Sequence, residues 1–166
     1  VMRTVDILIG IPPMCLCVSI IAALGSSVKN MMIALCVTSV PAFARIMRAQ
    51  VLTVKEQEFI EAARSIGASD LRIMLKHILP NSLAPIIVQF TLGMVTVILM
   101  SASLSFIGMG VQPPAPEWGL LIATGRAYLR DYWHMSILPG LAIVVTTFAL
   151  NLLGDGLRDA LDPRLK

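Results

Sequence analysis

The chain has 166 residues, 57% hydrophobic and only 14% charged, with a mean hydropathy of +0.83. A soluble domain carries about 25% charged residues, so this balance leaves too little polar surface for a water-soluble fold and marks an integral membrane protein. A net charge of +3 is too small to point to nucleic acid, and it is the placement of the charges that carries information.

The chain starts at Val1 with no basic n-region and no small-residue cleavage site. No signal peptide is expected, and the abrupt start reads as that of a fragment. The first charge-free run is Ile7–Val28, long enough for one crossing and interrupted near its start by Pro12 and Pro13. A crossing needs about 20 residues to span about 30 Å of hydrocarbon. Cys15 and Cys17 lie in this run and Cys36 in the next. Residues two apart on a helix point to different sides, so Cys15 and Cys17 cannot hold one ion together. With no C-x-x-C and no Cys/His cluster, the cysteines read as small buried hydrophobes, and no metal or cofactor is expected.

The second run, Asn30–Ala44, is short, and it reaches crossing length if Arg45 and Arg48 snorkel to the headgroups. Pro41 lies within it, a break that neighbouring helices can re-satisfy. A charged insert of about 53–80 follows. Thr53-Val54-Lys55-Glu56 has the form of a capping box, which predicts a helix from there to Ile66, ended by Gly67 in a left-handed turn. Phe59, Ala62, Ala63 and Ile66 fall on one face at helical spacing. Ser69 can cap a second helix, with Asp70 in its first turn and an apolar set of Leu71, Ile73, Met74, Leu75 and Ile78 before Leu79-Pro80. The insert is therefore a helix–turn–helix. It serves either as a hairpin packed on the membrane surface or as a docking element whose small alanines let it lie in a partner's groove.

The third run, Ile78–Pro116, allows a crossing and an irregular exit. Its small residues, among them Ser101 and Ser105 four apart, suit close helix packing in a membrane. Gly110–Gly119 is rich in proline and glycine and predicts an ordered, non-helical stretch within an outer loop of about 108–136. Trp118, Tyr128, Tyr132 and Trp133 on that loop fit an interfacial aromatic belt. The fourth run is Tyr132–Gly154, opened by Pro139. Gln89 and Asn151 are polar residues inside apolar runs, read first as interhelical hydrogen-bonding groups and second as lining of a transport path.

Orientation follows from lysine and arginine. With the N-terminus inside, ten of the thirteen fall on the cytoplasmic side, in the first turn, the 45–77 stretch and the C-terminal tail. Lys29, Arg126 and Arg130 fall outside. The expected fold is all-α: a polytopic transmembrane bundle of about four membrane helices with a cytoplasmic helix–turn–helix insert.

Glu61-Ala62-Ala63, three residues, Gly67, then Ile78-Leu79-Pro80 resembles the EAA signature of ABC-importer membrane subunits. His77 stands where the common signature has isoleucine, with Ile78 following, a variant associated with the peptide-importer branch. Ala102–Gly119 and Asn151–Lys166 are similar to the second permease of dipeptide, oligopeptide and nickel importers. The resemblance covers essentially the whole chain. It implies a single transmembrane domain over 1–166, the C-terminal part of a six-helix subunit without its first two helices. It also implies a multi-pass location in the bacterial inner membrane. The implied partners are cytoplasmic ATP-binding subunits, a second homologous permease and an extracytoplasmic solute-binding protein, besides membrane lipid. In such subunits the EAA segment is a coupling helix that docks on the ATPase, which assigns coupling roles to Glu61, Ala62, Ala63 and Gly67. Glu61 would orient the helix, the alanines would permit close approach, and Gly67 would make the turn.

An enzyme is not expected. His77 and His134 fall on opposite membrane faces, no nucleophile–base pair is apparent, and there is no G-x-x-x-x-G-K-[ST] phosphate loop. The alternative is a channel or secondary transporter that needs no ATPase. It predicts ionisable residues buried in the membrane, yet only Asp6 lies near an apolar run, at its cytoplasmic end. The ten methionines read as packing rather than a soft-metal path. Whether the cargo is a dipeptide, an oligopeptide or nickel is left open by the residues.

Overall fold

The computed structural model describes residues 2–161. Arg164 and Lys166, assigned above to the cytoplasmic side, lie outside the described residues. The described residues form helices joined by short turns, with no strand among them.

α1 (Met2–Ile9) and α2 (Pro13–Leu24) are the two halves of the first apolar run, bent by 94° at the Gly10–Pro12 break. Pro12 and Pro13 remove two consecutive backbone donors, so the helix cannot run through them and restarts with Pro13 in its first turn. α2 alone is 12 residues, about 18 Å. The first expected crossing is thus a broken one, while three helices are each long and apolar enough to cross unaided.

α3 (Val28–Lys55) opens at Ser27, whose hydroxyl accepts from the Asn30 amide at 3.2 Å. The Asn30 side chain donates to the Leu24 and Gly25 carbonyls at 2.7 and 2.9 Å, which fixes the tight α2–α3 reversal. As expected, α3 runs on through Arg45 and Arg48. It also runs through Thr53, and the capping box is not formed. The Thr53 hydroxyl donates to the Ala49 carbonyl at 3.1 Å, the bond of a helix interior, because the preceding Met47–Leu52 stretch supplies no breaker.

α4 (Glu58–Ser65) and α5 (Asp70–Ile73) make the hairpin, and α6 (Leu79–Phe106) follows through a π-helical turn over Met74–Ile78. α5, the π turn and α6 are one uninterrupted helical path of 37 residues, Asp70–Phe106. Leu79-Pro80, expected to close the insert, therefore lies inside this path. The Leu79 amide donates to the Met74 carbonyl, five residues back, and the side chains of Asn81 and Ser82 bond the His77 and Ile78 carbonyls at 2.6 and 2.8 Å. These side-chain bonds serve the carbonyls around a proline that has no donor of its own.

Beyond α6 the 107–117 stretch is non-helical, as its prolines and glycines predict. The next stretch departs from a plain outer loop. α7 (Trp118–Gly125) is an apolar helix wedged between α6 and α8 (His134–Leu161). A β-carbon on Gly119 would lie 2.5 Å from the Ala102 Cα, and one on Gly125 2.5 Å from the Ser136 hydroxyl. Close backbone approach is what holds α7 there, and in lipid such packing replaces the hydrophobic drive available in water.

The main core joins α2, α3, α6 and the 107–117 stretch through Cys17, Ile21, Met31, Ala34, Leu35, Leu104 and Val111. Cys17 lies 3.4 Å from the Thr38 hydroxyl and packs as a small buried side chain, as expected, whereas Cys15 and Cys36, expected to be buried too, are exposed on the outside of the described helices. Gln89 and Asn151 form none of the expected interhelical hydrogen bonds among the described residues: Asn151 is exposed and Gln89 half-buried. Antiparallel order places Asp6 beside Arg45, at 3.6 Å, at the hairpin end, while Lys29 and Arg126 lie toward the opposite end.

Candidate coupling site

The hairpin is built on its turn. Ile66 ends α4, and Gly67 takes φ +80°, a left-handed conformation that costs glycine least. The Ala68 amide donates to the Ala63 carbonyl at 3.1 Å and the Gly67 amide to the Arg64 carbonyl at 2.9 Å. These are the two bonds of a Schellman cap, so the turn expected at Gly67 is present with its full hydrogen-bond pair. Ser69 occupies the cap position of α5 in extended conformation, but its hydroxyl makes no capping bond.

The expected single apolar face of α4 divides in two. Ile60 and Ile73, each 1% exposed, close on Ala63, with Ala68 and Ile78 packed against them. Ala63 is therefore an internal residue of the hairpin: its small side chain lets α5 come near α4. Phe59, Ala62 and Ile66 point elsewhere and stay exposed, Ile66 at 86%. Glu61 stands exposed on the side of α4 away from both faces, with no ion pair among the described residues. Glu58 and Glu61 lie in the first turn of α4, where the helix dipole favours negative charge. Arg64 and Asp70 approach to 4.0 Å across the turn, both well exposed, a contact worth little to stability.

Of the four residues singled out in the sequence, Gly67 shapes the turn, Ala63 packs inside it, and Glu61 and Ala62 are presented outward. Sequence reasoning missed that Leu71, Met74 and Leu75 are exposed too, which widens the apolar surface along the second arm. It also missed the Phe59–His77 ring pair, with centroids 6.3 Å apart. The helical spacing of those apolar residues was visible, but which of two adjacent alanines turns inward depends on where the second arm lies.

The described residues define an all-helical, multi-pass membrane protein with a projecting amphipathic hairpin. The chain belongs to the family described as binding-protein-dependent transport system inner membrane component, which matches residues 1–166. It is 50% identical over 166 residues to the glutathione transport system permease protein GsiD of Shigella flexneri serotype 5b (strain 8401), and equally to that of Escherichia coli O157:H7. Each alignment covers 100% of this chain and 55% of the relative. The GsiD protein of Escherichia coli O1:K1 / APEC is 50% identical over 165 residues, 99% of this chain and 54% of the relative. The chain thus spans about half the length of these curated relatives, at 55%.

Proposed function

We propose that residues 1–166 act as one transmembrane unit of a peptide-importing ABC permease, coupled through the hairpin to a separate ATP-binding subunit. The observation that carries this is the exposed Phe59–Ala62–Ile66 face on a hairpin whose own packing is already complete. An apolar helical face left over after internal packing suits the groove of a partner. Glu61, exposed on the same helix, orients the contact by pairing with a basic group of the ATPase, and Gly67 keeps the hairpin rigid enough to follow its partner as a body.

The cargo is a short peptide, a reading supported by the 50% identity to permeases named for glutathione transport. A second homologous permease completes the path, and a solute-binding protein delivers the peptide from outside. The hairpin faces the cytoplasm, in line with the ten-to-three distribution of lysine and arginine.

The test is uptake of glutathione into proteoliposomes carrying the complete importer, with ATP inside and binding protein outside. Uptake that needs both ATP and the ATP-binding subunit is the expected result. Uptake that proceeds without either would favour the ATPase-independent channel or secondary transporter instead. Orientation is read separately: a cysteine at position 55 should label only from the inside, and one at 126 only from the outside.

A further inference from the structure

At the end of the bundle opposite the hairpin, α3, α6, α7 and α8 surround a partly open cavity of about 450 Å³. That volume lies within the range of small-molecule sites. Its wall is mostly apolar and includes Met31, Met32, Trp118 and Ile143. Its polar groups are Ser101 and a single carboxylate, Glu117.

Glu117 has a local duty. It caps α7, with one carboxylate oxygen accepting from the Leu120 amide at 2.8 Å and the other from the Ser101 hydroxyl at 3.4 Å. Both donors are neutral. The two ion pairs among the described residues, Arg45–Asp6 and Arg64–Asp70, lie elsewhere. The partial charge of the α7 N-terminus, about half an elementary charge, offsets only part of the carboxylate. A negative group thus borders an apolar cavity that no cation lines among the described residues.

The other walls also favour a cation. An indole face attracts ammonium groups, and methionine thioethers are soft and polarisable and adapt to varied shapes. A metal ion is a poorer match, because no group of three ligating side chains occurs among the described residues. The best fit is a compact organic cation attached to a partly apolar body.

We propose that this cavity receives the amino-terminal ammonium group of the imported peptide, with Glu117 as its counter-ion. This deepens the peptide-import reading and rests on it. Glu117 becomes a residue that selects for peptides with a free amino terminus, while its capping bond to Leu120 holds the carboxylate in place.

The capping duty gives a clean test, since serine and aspartate both cap helices well. Glu117→Ser keeps a cap and removes the charge; Glu117→Asp keeps both. In the complete importer reconstituted with its binding protein, Glu117→Ser should lower uptake of an apolar dipeptide with a free amino terminus by about tenfold or more, the scale of one lost charge-assisted hydrogen bond. Glu117→Asp should stay within about threefold, because its carboxylate is retained. Assembly with the ATP-binding subunit, scored by co-purification, should be unchanged in both. Glu117→Ser transport at the wild-type rate would show a cap only and overturn the inference. So would equal loss in both variants accompanied by failed assembly, which would assign Glu117 to a contact with another subunit. If the wild-type importer carries no peptide at all, the peptide reading falls and this inference with it. A peptide-importing wild type matched by Glu117→Ser removes the inference alone.

Discussion

Ala62 and Ala63 are neighbours in sequence, yet enlarging them should do different damage. Ala63 is enclosed by Ile60 and Ile73, each 1% exposed, so a leucine there has no space to enter. Overpacking a filled site costs about 1–3 kcal/mol. At about 1.4 kcal/mol per tenfold, Ala63→Leu should open the hairpin about five- to a hundredfold more often. Ala62 is exposed, and a surface substitution of that kind stays within about 0.5 kcal/mol. Ala62→Leu should therefore leave the hairpin intact and disturb only what docks on it. Two readouts separate these effects: the rate of limited proteolysis within 56–69 in the purified membrane protein, and co-purification of the ATP-binding subunit. Ala63→Leu should raise proteolysis and weaken co-purification together. Ala62→Leu should weaken co-purification with proteolysis unchanged. Should Ala62→Leu bind the ATPase as wild type does, the exposed face is not the docking face. Should Ala63→Leu lose the ATPase with no change in proteolysis, the inward placement of Ala63 is refuted.

Gly67→Val should also expose the hairpin to protease, because a branched residue at φ +80° is strained whatever the surrounding space, and ATP-driven uptake should fall in parallel. Gly119→Ala should push α7 off α6, since its β-carbon would meet the Ala102 backbone at 2.5 Å. A melting temperature lower by several degrees in detergent, with the hairpin protected as before, is the expected signature. Ser105→Ala should hold or raise that melting temperature, because the Ser105 hydroxyl is buried with no hydrogen-bond partner among the described residues and its removal relieves a desolvated polar group.

Much of this architecture was readable in the residues, for identifiable reasons. The Gly67 turn was legible because a left-handed residue after a helix is nearly a glycine property. The extension of α3 past Arg45 and Arg48 followed from helix continuity and long side chains that reach the interface. The misread capping box at Thr53 has a local cause: a threonine hydroxyl serves a helix interior by bonding four residues back as readily as it serves a cap. α7 is hard to read because Gly119 closes a proline- and glycine-rich stretch that looks like loop, whereas Gly119 and Gly125 are contact residues that admit a neighbouring backbone. The division of the coupling face between Ala62 and Ala63 was out of reach, since it is set by the position of α5, a tertiary fact.

The unbroken path from Asp70 to Phe106 makes the hairpin's second arm the base of a lever. Its 37 residues correspond to a length of about 55 Å. A tilt of about 5° at the base sweeps the far end through about 5 Å over that length. Ser101, near that far end, is the group that holds Glu117 from the α6 side. A small rotation at the hairpin would thus arrive at the far cavity enlarged to the width of a side chain, less what is absorbed at two joints, the π turn over Met74–Ile78 and Pro85 within α6.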